Sequence, residues 1–303
     1  MAITTTGDIP SLLKAGLAAV FGEYPKYQAQ WSEIFSTYRS DKQVEQEVEM
    51  QYLPVASYRP EGAPTDIASM QQKYVTTYVH KYFSIGMIIS RMAVMDNLYK
   101  SYFPMIAQAI NDALDQAREI MGASIFNNGF NPAFPLGDGQ PFFSLLHPIT
   151  GGVVANTPVT PVDLSEASIE QALIAIHQFK DQAGLTIKTK AVKLLVPATG
   201  EYVSDRLLGS QFRTNTDIND ISAIFNTKAV PQGYRVNQFL SLLFPNAWYL
   251  LTDAPNSLKF YRREDIDTDV YTEPLTNNLI ITGTERYSFG VSNFRGAYGS
   301  QGM

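Results

Sequence analysis

From Val44 to Tyr52 the chain alternates, with Val44, Val48, Met50 and Tyr52 on one face and Glu45, Glu47, Glu49 and Gln51 on the other. A period of two predicts a β-strand with one apolar and one polar face. Pro54, Pro60, Gly62 and Pro64 then break regular structure, and a run rich in Tyr, Val, Thr and Ile extends from Tyr74 to Ile89. Together these predict a long two-stranded arm with a loop at its tip. An isolated hairpin is marginal in water, so such an arm needs another surface to lie on.

The remaining pattern alternates between helical and strand periods. Leu12, Leu13, Leu17, Val20 and Phe21 predict a short amphipathic helix over 11–22, with Ser11 as its cap. Tyr24, Tyr27, Trp31, Phe35 and Tyr38 follow with weak periodicity. They read as an extended arm laid across another surface, and an ordinary helix packed on its own domain fits them equally. Phe103, Ile106, Ile110, Leu114, Ala117, Met121 and Ile125 recur at helical spacing behind Pro104, until Asn127, Asn128 and Gly129 stop the helix. Its alanines, from Ala107 to Ala123, predict close approach of a sheet. Residues 127–163, rich in Gly, Pro and Asn, read as a long irregular segment. Ser165 then caps a helix carrying Ile169, Leu173, Ile176 and Phe179 and ended by Gly184. Strands are predicted at Val192–Val196, Trp248–Thr252, Leu258–Tyr261, Leu279–Thr282 and Tyr287–Val291. The fold class is α+β.

Composition narrows the function. Charged residues are 17% of the chain, below the usual quarter or so, while Tyr and Phe number 17 each. Few charges with many aromatics fit either a large core or surface destined for burial against partners. The net charge is −6 and the densest basic spot is the pair Arg262 and Arg263, so no basic stripe for gripping phosphates is present. The absence of cysteine removes disulfides, thiolate catalysis and Cys-based zinc sites. The apolar stretch from Ile9 to Gly22 lacks a preceding Lys or Arg and is interrupted by Lys14, so neither an export signal nor a membrane span is expected.

Candidate chemistry is sparse. His80, His147 and His177 lack the spacing that pairs two imidazoles on one helix face, and each reads as a satisfied structural histidine. Asp265, Asp267 and Asp269 begin like a calcium loop, but Val270 stands where the turn glycine is needed and Thr276 where a bidentate Glu should close the site, so they read as a solvated turn. No phosphate-binding loop occurs. No catalytic residue, metal site or cofactor is expected, although a carboxylate pair assembled by the fold remains open.

Asp138-Gly139-Gln140-Pro141-Phe142-Phe143-Ser144-Leu145-Leu146-His147-Pro148, with Gly151-Gly152 and Asn156-Thr157 behind it, resembles a stretch of tailed-bacteriophage major capsid proteins. The Mu-like major head subunit families are the nearest in pattern. Lys193-Leu194-Leu195-Val196-Pro197 and Asn246-Ala247-Trp248-Tyr249-Leu250-Leu251 resemble the same families' strands, and the order of elements matches over nearly the whole chain. The resemblance implies the Hong Kong 97-type capsid fold. Residues 1–41 would be an N-terminal arm, 42–76 the extended loop, 77–164 a peripheral domain with a spine helix at about 103–126, 165–280 an axial domain, and 281–303 a return to the peripheral domain.

The implied function is assembly with copies of itself, as pentamers and hexamers, into an icosahedral shell around double-stranded DNA that it does not read. The implied place is the virion capsid, assembled in the bacterial host cytoplasm. A portal and decoration proteins are the implied partners, and because the arm begins almost at Met1, scaffolding would be a separate protein or absent. Residues 55–72 contain no Lys, so covalent cross-linking through the loop tip is not expected. Val48, Met50 and Tyr52 are expected to be buried against a neighbouring subunit. Glu45, Glu47 and Glu49 would then face solvent or basic groups across the contact, and Glu47→Gln should matter little. An encapsulin-type compartment shell is the alternative, and a soluble hydrolase using a carboxylate pair is a third reading.

Overall fold

The computed structural model describes residues 29–95, 99–213, 220–240 and 244–303. In chain order its elements are β1 (Ser36–Arg39), β2 (Val44–Gln51), β3 (Gln71–Val79), β4 (Lys81–Ile89), α1 (Arg91–Met95), α2 (Tyr99–Asn127), β5 (His147–Ile149) and β6 (Gly152–Val154). There follow α3 (Glu166–His177), β7 (Ala191–Val196), α4 (Glu201–Gly209), α5 (Ala223–Thr227), β8 (Tyr234–Val236), β9 (Trp248–Thr252), β10 (Leu258–Thr272), β11 (Leu279–Val291) and β12 (Ala297–Ser300).

Two four-stranded sheets carry the body, in the orders β1-β10-β11-β4 and β12-β9-β7-β8, while β2 and β3 form a two-stranded sheet of their own. The run from Tyr74 to Ile89 is therefore two strands. His80 divides them, buried between the hydroxyls of Ser40 and Ser288 at 3.1 and 3.0 Å. Only β3 returns along β2, and β4 crosses into the first sheet beside β11.

The predicted segments at Leu258–Tyr261, Leu279–Thr282 and Tyr287–Val291 are the ends of one long hairpin, β10–β11, paired from Leu258 with Val291 to Thr272 with Leu279. Asp265, Asp267 and Asp269 lie within β10, on its exposed positions, and form no turn. Alternation of Asp with Ile266, Thr268 and Val270 is the pattern of a strand with one exposed face. The expected division at 280/281 falls inside this hairpin, and pairing groups β10 with β11, β4 and the long helix α2.

The helix α2 begins at Tyr99, upstream of Pro104, and its 29 residues make a rod of about 43 Å. Its C-terminus is fixed as the Asn-Asn-Gly signal predicts, with the Gly129 N–H donating to the Phe126 carbonyl at 3.0 Å. Ala123 is buried with the sheet residues Phe260, Tyr287 and Val291, and a strand glycine adds to the close approach. A Cβ on Gly283 would lie 2.5 Å from Ile110 Cγ2 and 3.2 Å from Leu114 Cδ1.

Trp31 and Phe35 are buried in the chain's own core with Phe126, Phe143, Tyr249, Phe260 and Tyr287. From Ala29 onward, then, the aromatic segment is integral to the body, and β1 pairs in parallel with β10. The helix predicted at 11–22, with the rest of the expected arm before Ala29, lies outside the described residues. Strands β7 and β9 are buried on both faces: Leu195, Tyr249 and Leu251 feed the aromatic core, while Leu194, Val196, Trp248 and Leu250 join Ile169, Ala172 and Ile176 of α3 in a second core. Ser165 caps α3 as predicted, accepting from the Ser168 N–H at 3.2 Å. The helix stops at His177, and Phe179 packs into the second core from the turn beyond it.

Gly283→Ala should cost about 1 to 3 kcal/mol through overpacking against Ile110, lowering the melting temperature by several degrees. An unchanged melting temperature in a calorimetric scan would mean that α2 is free to shift away from the sheet.

Candidate assembly surface

Strand β2 is oriented opposite to an ordinary amphipathic strand. Its apolar face is turned outward, with Val48 45%, Met50 41% and Tyr52 67% exposed, and β3 adds Val75 and Val79 to the same outer face. Its polar face is turned toward the subunit that carries it. This corrects the expectation that the glutamates face solvent or a neighbour.

Glu45 accepts hydrogen bonds from Ser40 at 2.8 Å and Lys42 at 3.1 Å. Glu47 accepts from Lys259, Tyr261 and Ser292. Glu49 accepts from Arg295 Nη1 at 3.0 Å, and Gln51 Oε1 accepts from Thr150 Oγ1 at 3.3 Å. From β3, Tyr74 donates to the Pro148 carbonyl at 3.1 Å, and Tyr78, 2% exposed, meets Ser292. Burial opposes ionisation of Glu47, but the hydrogen bonds from Lys259, Ser292 and Tyr261 outweigh it and hold its carboxyl below the usual range. Lys259 and Arg295 are themselves buried. Glu47→Gln therefore leaves a buried ammonium without its counter-charge, and the expectation that this substitution matters little is reversed.

The arm's tip is ordered by its own polar contacts. Gly62, at φ +81°, completes a turn in which the Ala63 N–H donates to the Pro60 carbonyl at 3.2 Å. Arg59 braces it from Nη1 to Thr65 at 3.0 Å, and Ser57 bonds Asp66. Val55, Tyr58 and Ile67 are left exposed. A groove of about 770 Å³ follows the edge of the arm, lined by residues 47–50 of β2 and by Asp253 to Asn256, Lys259 and Arg295 of the body.

The Asp138 to Asn156 stretch forms a buried polar staple. His147 is fully buried, its Nδ1 2.6 Å from Asp138 Oδ2 and its ring stacked on Phe294 at 3.9 Å. Asn156 Oδ1 accepts from the Ser144 N–H at 2.9 Å, and its amide nitrogen reaches the carbonyls of Phe142, Phe294 and Ala297. These residues hold the irregular segment to β12, beside the Arg295 that anchors the arm. His80 and His147 are thus satisfied structurally, whereas His177 is exposed. Among the described residues no cluster of three or more His, Asp or Glu side chains could hold a metal ion, and no helix is long and apolar enough to cross a membrane.

A second buried polar group joins α2 to β11. Arg118 lies 3.0 Å from Glu285 and also pairs with Asp115. Burial pushes the Glu285 carboxyl up to about 7, only partly offset by Arg118.

No family model matches the sequence, and no curated protein matches it. Solved structures do match. The virus-like particle from Pyrococcus furiosus superposes with a TM-score of 0.54 at 10% identity, over 97% of this chain and 99% of that one. The capsid of the empty GTA particle gives 0.59 at 12% identity, over 90% and 89%. The procapsid of bacteriophage JBD30 gives 0.54 at 14%, over 98% and 75%. This is the Hong Kong 97-type capsid fold.

Because the folded-state pKa of Glu285 lies above its unfolded value, the folded subunit binds more protons between about pH 4.5 and 7, and stability from this group falls as pH rises through that window. Glu285→Gln should match the wild type near pH 4.5 and exceed it by on the order of a few kcal/mol at pH 8. Melting curves at both pH values check this, and a difference that does not change with pH would refute it.

Proposed function

We propose that the protein is the major shell subunit of a tailed-phage head, self-assembling into pentamers and hexamers that close around double-stranded DNA. The observation that carries this reading is the inverted arm. Its polar face is occupied by the subunit's own cations, and among the described residues Val48, Met50 and Tyr52 are left exposed on the other face, where a second copy of the chain would dry them. In this reading β2–β3 and its tip are the extended loop, α2 with β1, β4, β10 and β11 is the peripheral domain, and the second sheet with α3 is the axial domain. The role is geometric and needs no catalytic step.

Three features favour DNA as the content. The Asp138 to Asn156 segment resembles head subunits, the net charge of −6 gives weak attraction to a packed genome, and no basic stripe would bind it to the wall. A compartment shell enclosing a cargo protein is the second reading, favoured by the likeness to the virus-like particle over nearly the whole of both chains. Nuclease-protected DNA in purified particles supports the first, and a stoichiometric co-purifying protein the second.

Burying one aliphatic or aromatic side chain stabilises by roughly 1.5 to 3 kcal/mol, so removing two from each contact weakens association by about a hundredfold or more. The double substitution Val48→Asp and Met50→Asp should leave subunit melting unchanged and abolish sedimenting particles. Normal particle yield would show that this face is not the contact, and a subunit that unfolds would assign the strand to an internal core.

A further inference from the structure

Lys259 and Arg295 are buried cations on the body, with side chains 6% and 3% exposed, and both of their ion-pair partners among the described residues lie on the arm. Arg295 is held in one orientation by other contacts. Its Nε donates to the Lys180 carbonyl, its Nη1 to Asn293 at 3.0 Å, and its guanidinium stacks on Phe294 at 4.2 Å. Lys259 lies over the Tyr38 ring at 5.0 Å. Both cations thus belong to the body, and the arm is referred to them. Glu47 and Glu49 are two residues apart on one face of β2, so the two cations define a line along the strand. Gln51, bonded to Thr150, extends that line toward the tip.

We infer that Glu47, Glu49 and Gln51 are positioning residues that set the angle at which the arm leaves its own subunit, and through that angle the curvature at which neighbouring subunits meet. The inference rests on the shell-subunit reading. Swinging the arm away would take from Lys259 and Arg295 their ion-pair partners Glu47 and Glu49, so the angle is defined by charge pairing, while the outward apolar face supplies adhesion. The two tasks fall on opposite faces of one strand and are separable by substitution.

The chain has no cysteine, so Glu61→Cys at the tip and Lys188→Cys on the body give a unique spin-label pair. Pulsed electron resonance on unassembled subunits reads the distribution of tip-to-body distances, hydrogen exchange reads the hairpin, and microscopy reads particle diameter. Glu47→Gln with Glu49→Gln should broaden the distribution and speed amide exchange in 44–51 and 71–79 by about tenfold or more. Particles should become uneven in diameter or fail to close. Gln46→Glu, which places a charge on the outer face, should leave the distance distribution unchanged. If the double variant does not fold, Glu49→Gln alone is read in the same way. A distribution as narrow as the wild type's overturns the inference, and so does a broadened arm in particles of uniform, native diameter. Wild-type protein that forms no shells would overturn the shell reading instead, while the distances in the free subunit still decide whether these residues hold the arm.

Discussion

Two ion pairs, Glu47 with Lys259 and Glu49 with Arg295, determine which way the arm faces. A buried pair of this kind adds little net stability, because desolvation of both charges offsets most of their attraction. Its effect is on direction. Flipping β2 by one residue would take both carboxylates away from their partners and press Val48 and Met50 onto a polar wall, and both changes are costly. The alternating strand can thus dock in one orientation only, with its apolar side facing away from home.

The rest of the body supports that arrangement. Ser292 and Arg295 sit at and just beyond the end of β11, whose long pairing with β10 also presents Lys259 and Tyr261. The stretch that carries Arg295 is held by Phe294, which stacks on His147, and by Asn156, which gathers the carbonyls of Phe142, Phe294 and Ala297. The Asp138 to Asn156 segment therefore acts at a distance from the outer face of β2, by fixing the backbone from which Arg295 reaches the arm. Both faces of β7 and β9 are consumed by the two cores, so the second sheet forms a rigid frame around this stretch.

Local periodicity was enough to locate most elements, including the strand at Val44, the cap at Ser165 and the end of α2. The direction in which β2 faces was not legible, because a period of two separates two faces without saying which points home. The deciding partners, Lys259, Ser292 and Arg295, lie 212, 245 and 246 residues from the groups they meet. The join of β10 into one strand was hidden for a related reason: Asp265, Asp267 and Asp269 suggested a loop, although their alternation with Ile266, Thr268 and Val270 is that of an exposed strand face. Trp31 and Phe35 were equally ambiguous, since an aromatic segment looks the same whether its core is its own or a neighbour's.

The central claim is that one face of β2 belongs to its own subunit and the other to the next. Hydroxyl-radical footprinting of free subunits and of assembled particles, read by mass spectrometry, tests it residue by residue. Met50 and Tyr52 should label strongly in free subunits and become protected in particles, while Tyr78 and Tyr261 on the home side stay protected in both. Equal labelling of Met50 and Tyr52 in the two states would contradict the account.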